Sequence, residues 1–140
     1  MRGVMFDRKH TYWEWGLMLK SAPEITSPKP KTHYVDVLGA HGMLDLTESL
    51  TGKVQYKNRT ITLEFVSMAG REEWSAIYTA ILNELHGQIK EIRLDEDPVH
   101  IYTGRVTVGD PERDRKGIVT LKMSIEANPY KKTIEGAVTL

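Results

Sequence analysis

The 140-residue sequence contains no cysteine, and this absence removes several classes of chemistry. A disulfide framework, a thiol nucleophile, and zinc or iron–sulfur sites built on thiolates are all excluded. A chain of this length fits one domain and can bury about two-thirds of its unfolded surface, so it folds without such cross-links. A protein without thiols works in reducing or oxidising surroundings, so this absence does not fix the compartment.

Net charge and long apolar runs are also missing. The 19 Lys and Arg residues balance the 19 Asp and Glu residues, which argues against bulk electrostatic binding to nucleic acid or to an anionic membrane. No segment approaches the roughly 18 apolar residues of a membrane span. The first ten residues also lack the apolar core of a signal peptide. We therefore expect a soluble protein, made in the cytoplasm, that binds neither membranes nor nucleic acid tightly. Its neutrality favours self-association.

Alternating apolar and polar residues dominate what is present. The alternation runs over Arg59–Val66 and over Ile118–Ala127, which predicts two strands with one buried face each. Val99–Val108 repeats it, and the charged, glycine-bounded loop 109–117 predicts an antiparallel hairpin. The faces expected to meet inside carry Ile61, Leu63, Phe65, Val119, Leu121, Met123 and Ile125. Shorter strand candidates are Gly3–Phe6, Gly16–Leu19, His33–Val37, Lys53–Tyr56 and Gln88–Leu94.

One segment, about residues 71–86, has the period of a helix instead. Its apolar residues recur at spacings of three and four, from Trp74 through Tyr78 to Leu85. Acidic residues in its first turn and Gly87 just past its end fit the helix dipole and a C-terminal cap. The sequence thus predicts a mainly β fold (α+β by count). This is an antiparallel β-sandwich or partly open barrel with one amphipathic helix, which packs Trp74 into the core.

The least regular segment, about residues 27–51, is predicted to form an extended arm or hairpin. Pro28 and Pro30 favour an extended backbone in its first part, and Gly39 and Gly42 permit sharp turns in its second. Around these glycines lie small and apolar residues that a lone domain has difficulty covering. Long irregular segments in compact domains are usually functional or disordered.

No motif for catalysis or cofactor binding is found. Nucleophile-elbow, P-loop and dinucleotide-binding strings are missing. The five histidines do not have the spacing of a simple metal site; they are His10, His33, His41, His86 and His100. We expect no metal, no cofactor and no enzymatic activity. Two alternatives stay open: a small hydrolase using His41 with Asp36 or Asp45, and a monomeric module whose Met43 and Leu44 loop captures a ligand or peptide.

Several strings together resemble the N-terminal domain of siphophage distal tail proteins, also known as putative phage tail components. The opening Gly3-Val4-Met5-Phe6-Asp7, with Trp15-Gly16-Leu17 after it, looks like the family's start. The sharper match is the run from Pro30 to Glu48, which reads PKTHYVDVLGAHGMLDLTE. Tyr56-Lys57-Asn58-Arg59-Thr60, the helix with Trp74 and the ending Glu126-Ala127-Asn128-Pro129-Tyr130-Lys131 complete a likeness over nearly the whole chain.

This resemblance implies a structural role in a virion tail, after synthesis in the host bacterial cytoplasm. Such proteins form a hexameric ring that joins the tail-tube protein to a baseplate, tail-tip or fibre protein and leaves a channel for the genome. The resemblance also implies one domain over residues 1–132 and a short C-terminal tail over residues 133–140. Larger members carry a second domain, which we expect to be missing here.

The arm is the segment that the resemblance places against a neighbouring subunit. The residues predicted to form that interface are Lys29, Lys31, His33, Tyr34, Asp36, His41, Met43, Leu44 and Leu46. A head-to-tail contact between copies closes into a ring when the rotation between them fits.

Overall fold

A computed structural model describes residues 3–49 and 51–140. Met1 and Arg2, at the start of the predicted domain, and Leu50, in the predicted arm, lie outside the described residues. Two helices are described, α1 (Thr11–Trp15) and α2 (Arg71–Leu85). The strands of the same residues are β1 (Val4–Phe6), β2 (Lys9–His10), β3 (Met18–Leu19), β4 (Glu24–Ile25), β5 (Tyr34–Asp36), β6 (Met43–Asp45), β7 (Arg59–Ser67), β8 (Ile89–Leu94), β9 (Asp97–Val108), β10 (Glu112–Arg113), β11 (Val119–Ala127), β12 (Lys131–Thr133) and β13 (Val138–Thr139).

The body is an antiparallel sheet in the order β2-β1-β8-β9-β11-β7-β3. Short strands add to it, since β10 pairs with β11, β4 with β7 and β12 with both β9 and β13, whereas β5 and β6 form a separate two-stranded sheet. β11 lies between β9 and β7 and pairs with β7 over nine residues, from Val119 opposite Ser67 to Ala127 opposite Arg59. Among the described residues, strands make up 44% and helices 15%, and the sheet that they form does not close into a barrel. The mainly β prediction, a sandwich or open barrel, is confirmed.

The alternation in the sequence matches the burial in the structure. Every second residue is buried along β7 and β11 and, in β9, from Tyr102 onward, because successive side chains of a strand point to opposite faces. The seven residues predicted to meet inside are all buried, and β9 adds Tyr102, Val106 and Val108 to the same core. β9 and β11 pair as the predicted antiparallel hairpin.

α2 lies over this core. It spans Arg71–Leu85, so it ends one residue before the predicted boundary, and Gly87 follows with φ 76°. Trp74 is 7% exposed and stacks on Tyr78, with ring centroids 5.8 Å apart. The Tyr78 hydroxyl donates a hydrogen bond to the carbonyl oxygen of Gly109 at 3.0 Å, which ties the helix to the end of β9. The prediction that Trp74 is a core residue is confirmed.

Two local predictions were wrong or incomplete. Lys53–Tyr56 is not a strand, since only Tyr56 forms a bridge, to Pro30. Gly52, with φ 72°, turns the chain just before it. Gly16–Leu19 begins later than predicted, at Met18, because Gly16 takes the left-handed conformation that ends α1.

The end of the chain joins the sheet. The segment predicted as a tail after residue 132 forms a hairpin, β12–β13, and β12 pairs with β9 through Lys132 opposite Ile101. Neither helix of the described residues is long and apolar enough to cross a membrane.

Candidate assembly surface

The predicted arm is a two-stranded ribbon that leaves the body of the domain. At its base Pro30 forms a bridge with Tyr56. The backbone N–H of Lys31 donates to the carbonyl of Gln55 at 2.7 Å. Further out, β5 and β6 pair with Val35 opposite Leu44. No residue between 26 and 58 belongs to the buried core cluster of the described residues. The ribbon is therefore held by backbone hydrogen bonds and not by burial. From here on, the arm means this ribbon, residues 29–57, in place of the predicted segment of about 27–51.

Two glycines set the tip of the arm. Gly39 and Gly42 have φ 82° and 72°, a region that side chains with a Cβ disfavour. The N–H of Ala40 donates to the carbonyl of Val37 at 3.1 Å, closing a turn between β5 and β6. This turn leaves Leu38 fully exposed. The predicted role of the glycines, to let the arm turn sharply, agrees with these angles.

Both faces of the arm carry apolar side chains that the chain itself leaves open. Residues directly opposite in an antiparallel pair share a face, so Met43 lies beside Asp36 on one face and Leu44 beside Val35 on the other. Met43 is 58% exposed and Leu44 is 52% exposed. Clusters of exposed apolar residues usually mark interaction sites. The arm thus has the character of a segment that another surface covers.

All nine residues predicted for the interface lie on this one element. Lys29 and Lys31 are exposed at the base. Leu46 is half-buried and donates its N–H to the carbonyl of His33 at 2.7 Å. The other predicted residues are exposed along the ribbon and at its tip: His33, Tyr34, Asp36, His41, Met43 and Leu44. The structure therefore brings the set together, and whether it forms a subunit contact stays a prediction.

The arm does not assemble the proposed acid–base pair. The described hydrogen bonds do not join His41 to Asp36 or Asp45. The Asp45 carboxylate instead accepts from the hydroxyl and from the backbone N–H of Thr47, and these two bonds lower the pKa of Asp45 below its ordinary value. Asp45 therefore keeps its negative charge to a lower pH than an aspartate without these bonds.

Histidine–carboxylate pairs occur elsewhere, with structural partners. His10 Nε2 lies 2.9 Å from an Asp95 oxygen, and His10 Nδ1 accepts from the N–H of Tyr12, which caps α1. Both ring nitrogens are thereby engaged, so neither is free to act as a base. His100 Nδ1 lies 3.0 Å from an oxygen of Asp97. Among residues 3–49 and 51–140, no cluster of three or more His, Asp or Glu residues has the geometry to hold a metal.

A surface cleft between β1 and the end of α2 is lined by side chains of an ion-pair network, among them Asp7, Lys9 and Glu84. Lys9 lies 3.3 Å from Glu84, and Lys90 lies 3.4 Å from Asp7 and 3.5 Å from Glu84. The hydrogen bond from Lys9 is the main cause that lowers the pKa of Glu84. These groups neutralise one another at the surface, where each such pair contributes about 0–1 kcal/mol.

Sequence reasoning missed two exposed apolar features. Trp13 is 78% exposed on α1, where its ring meets Tyr12 edge-on at 5.0 Å. A five-residue helix is too short for its periodicity to show in a sequence. The second feature lies at the β12–β13 hairpin, whose first strand pairs with β9, and its exposed residues are Tyr130, Ile134 and Val138.

Comparisons with known proteins identify the fold. No family model and no curated protein matches the sequence. A solved structure that matches is the SPP1 Dit protein (gp 19.1), described as a paradigm of the hub adsorption apparatus in phages infecting Gram-positive bacteria. The TM-score is 0.71 at 11% identity, over 95% of this chain and 52% of that one. This chain therefore spans about half the length of the SPP1 protein.

Two further matches come from gene transfer agent particles. One is the tail of an empty particle with C6 symmetry, at TM-score 0.43, 14% identity, 86% of this chain and 80% of that one. The other is the native virion, at TM-score 0.40, 16% identity, 86% of this chain and 82% of that one.

The match to the SPP1 Dit protein shows that this chain has the fold found in a phage distal tail protein. The resemblance inferred from the sequence is confirmed at that level.

Proposed function

We propose that this protein is a structural component of a phage or prophage tail tip, acting as a ring-forming hub between the tail-tube protein and a baseplate, tail-tip or fibre protein. The observation that carries the proposal is the arm, because it projects exposed apolar side chains from a domain with the distal-tail fold. In this role the protein resides in the virion tail after synthesis in the host cytoplasm, and it works without a cofactor or catalytic site.

The shape of the arm favours a head-to-tail contact. An arm that projects from one place and docks at another joins two different surfaces, and such heterologous contacts build rings or filaments. A formal net charge of zero leaves no overall repulsion between copies. A partner copy would cover Met43 and Leu44, which are about half exposed in the single chain.

Light scattering over a concentration series tests this proposal. We expect a discrete oligomer whose mass corresponds to a closed ring, and images of negatively stained particles should show rings with a central opening. A second series adds the tail-tube protein, since neighbouring tail proteins can template the ring. A chain that stays monomeric in both series, up to the highest protein concentration measured, would favour the monomeric binding module.

A further inference from the structure

The paired strands β4 and β7 continue beyond the sheet into the base of the arm. Ile25 lies opposite Ile61, and the Pro30–Tyr56 bridge keeps the same register five residues further along each strand. Because side chains alternate between the two faces of an extended chain, every second residue of this ribbon shares the face on which Ile61 is buried. The core face of β7 therefore extends outward along the arm, past the point where the core ends.

Beyond the core this face is basic. Outward from Ile61 it carries Arg59 and Lys57 on one strand, and Lys29 and Lys31 on the other. Lys57 lies directly opposite Lys29, and its backbone N–H donates to the carbonyl of Lys29 at 2.7 Å. Like charges directly opposite each other destabilise a pair of strands. The fold of the lone chain therefore gains nothing from this placement of charge.

The innermost of these cations is buried. Arg59 is 6% exposed, its Nη2 donates to the carbonyl of Pro129 at 2.7 Å, and its Nε has no hydrogen-bond partner within the described part of the chain. The guanidinium carbon of Arg59 lies 5.7 Å from the centre of the Tyr102 ring, and the Lys131 ammonium lies 5.8 Å from the same centre. We define the basic cluster as Lys29, Lys31, Lys57, Arg59 and Lys131.

The ion pairs of the chain leave the basic cluster unbalanced. Those found among residues 3–49 and 51–140 include none of its five members. A buried cation is costly unless a hydrogen-bonded counterion accompanies it. Carboxylates from another molecule would supply such counterions, through charge-assisted hydrogen bonds to the ammonium groups and the guanidinium.

The surroundings of the cluster favour a short acidic protein segment over a nucleic acid. The outer part of the arm, residues 32–52, contains Asp36, Asp45 and Glu48 and no Lys or Arg, so its formal charge is −3. A long polyanion that followed the arm would meet this negative stretch, and a chain with no net charge does not attract it from a distance. An extended peptide with carboxylates at every second residue spaces them about 7 Å apart, which is also the strand spacing of Lys29 and Lys31.

We propose that the basic cluster binds an acidic segment of a partner protein. Carboxylates of that segment pair with the exposed lysines and balance the charge of Arg59. This inference rests on the proposed function for its setting, a tail in which the protein meets other tail proteins, and it names the chemistry by which one of them is recognised. Complementary charge of this kind fixes the register of a contact and disfavours wrong partners.

We assign the acidic segment to a different protein and not to a second copy of this chain. The chain has one run of three consecutive acidic residues, Asp95-Glu96-Asp97. His10 lies against the first of these carboxylates at 2.9 Å, and His100 against the last at 3.0 Å. This run is thus already engaged within its own subunit.

Fluorescence anisotropy with a labelled peptide of alternating Glu and Thr tests the proposal. The test variant is Lys31→Glu with Lys57→Glu. The matched control is Arg115→Glu with Lys116→Glu, which makes the same change of net charge at exposed positions of the loop 109–117. A peptide of alternating Lys and Thr and a single-stranded oligonucleotide of the same formal charge as the Glu peptide serve as control probes.

We expect the wild type to bind the Glu peptide saturably, with an affinity that falls as salt is added. The test variant should bind at least about tenfold more weakly, and the control should stay within about twofold of the wild type. The unfolding midpoint of the test variant should not fall, because the carboxylate introduced by Lys57→Glu faces Lys29. If that variant does not fold, Lys31→Gln with Lys57→Gln removes the same two charges, and its weaker binding is the expected result.

Four results would overturn the proposal. They are a wild type that shows no saturable peptide binding, equal losses in the test and control variants, tighter binding of the oligonucleotide than of the peptide, and a test variant that loses a wild-type oligomer. The last two would assign the cluster to nucleic acid or to a contact between copies.

The outcomes also separate the basic cluster from the ring. Selective peptide binding by a chain that light scattering finds monomeric supports the cluster and contradicts a stable ring. A ring whose chain does not bind the peptide overturns the cluster and leaves the ring standing.

Discussion

Placing two charges on the arm tests its role in assembly most directly. The variant carries Met43→Asp and Leu44→Asp, one on each face of the ribbon. Both side chains are about half exposed and lie outside the buried core cluster. Surface substitutions of this kind usually change the free energy of unfolding by no more than about 0.5 kcal/mol. We therefore expect the fold to survive.

The cost to assembly is larger. Burying a Leu or Met side chain completely contributes about 1.5–3 kcal/mol, so covering one that is already half-buried contributes about 1 kcal/mol. Each new carboxylate buried without a partner costs at least about another 1 kcal/mol. The four contributions sum to about 4 kcal/mol for each contact, which corresponds to about a thousandfold weaker association between subunits.

Circular dichroism and light scattering measure the two effects separately. We expect an unchanged spectrum and unfolding midpoint together with loss of the oligomer. A control with Met68→Asp and Asn83→Asp adds the same charge at exposed positions away from the arm, and its assembly should match the wild type. If the arm variant assembles as well as the wild type, or if both variants dissociate equally, the arm does not hold the ring together.

Three further predictions concern the core, the sheet end and the channel. Trp74→Ala should lower the free energy of unfolding by about 3–5 kcal/mol in urea denaturation, since the ring is buried; a loss below about 1 kcal/mol would contradict this. Desolvation, with a smaller contribution from Asp110, raises the pKa of Tyr78 above its ordinary 10.0. The folded state therefore holds the hydroxyl proton of Tyr78 more tightly than the unfolded state does. The free energy of unfolding should decrease as the pH rises above 10.0, and this decrease should be smaller in the Tyr78→Phe variant. Finally, fluorescence anisotropy should detect no duplex DNA binding at physiological salt, because tight binding needs many phosphate contacts; submicromolar, salt-sensitive affinity would refute the hub model.

Long periodic elements were predictable from sequence alone. The alternation over β7 and β11 persists for nine residues in each, and the stripe of α2 persists for 15. Over such lengths the periods of two and 3.6 are easily distinguished. The proline and glycine positions likewise predicted an extended segment followed by a tight turn, which the structure shows as the arm.

Short elements depend on contacts that the sequence does not display. α1 is a single turn held by the His10 ring and by the Thr11 hydroxyl, which accepts the N–H of Val4 at 3.1 Å. Strands of two residues, such as β3, β4 and β10, are defined by the partner they lie beside. The surface groove beside the β12–β13 hairpin combines residues from three separate stretches of chain, at 101–103, 128–132 and 138, so no local pattern indicates it.

The way the arm is attached determines how a pull on it reaches the domain. Its outgoing strand leads within two residues into β7, and its incoming strand follows β4, which itself pairs with β7. Tension on the outgoing strand therefore enters β7 at Arg59, the end of its pairing with β11. Nine register pairs hold β7 to β11, whereas only two hold β4 to β7. Resistance to forced unfolding is set by the unfolding rate, so we expect the outgoing strand to be the stronger of the arm's two attachments.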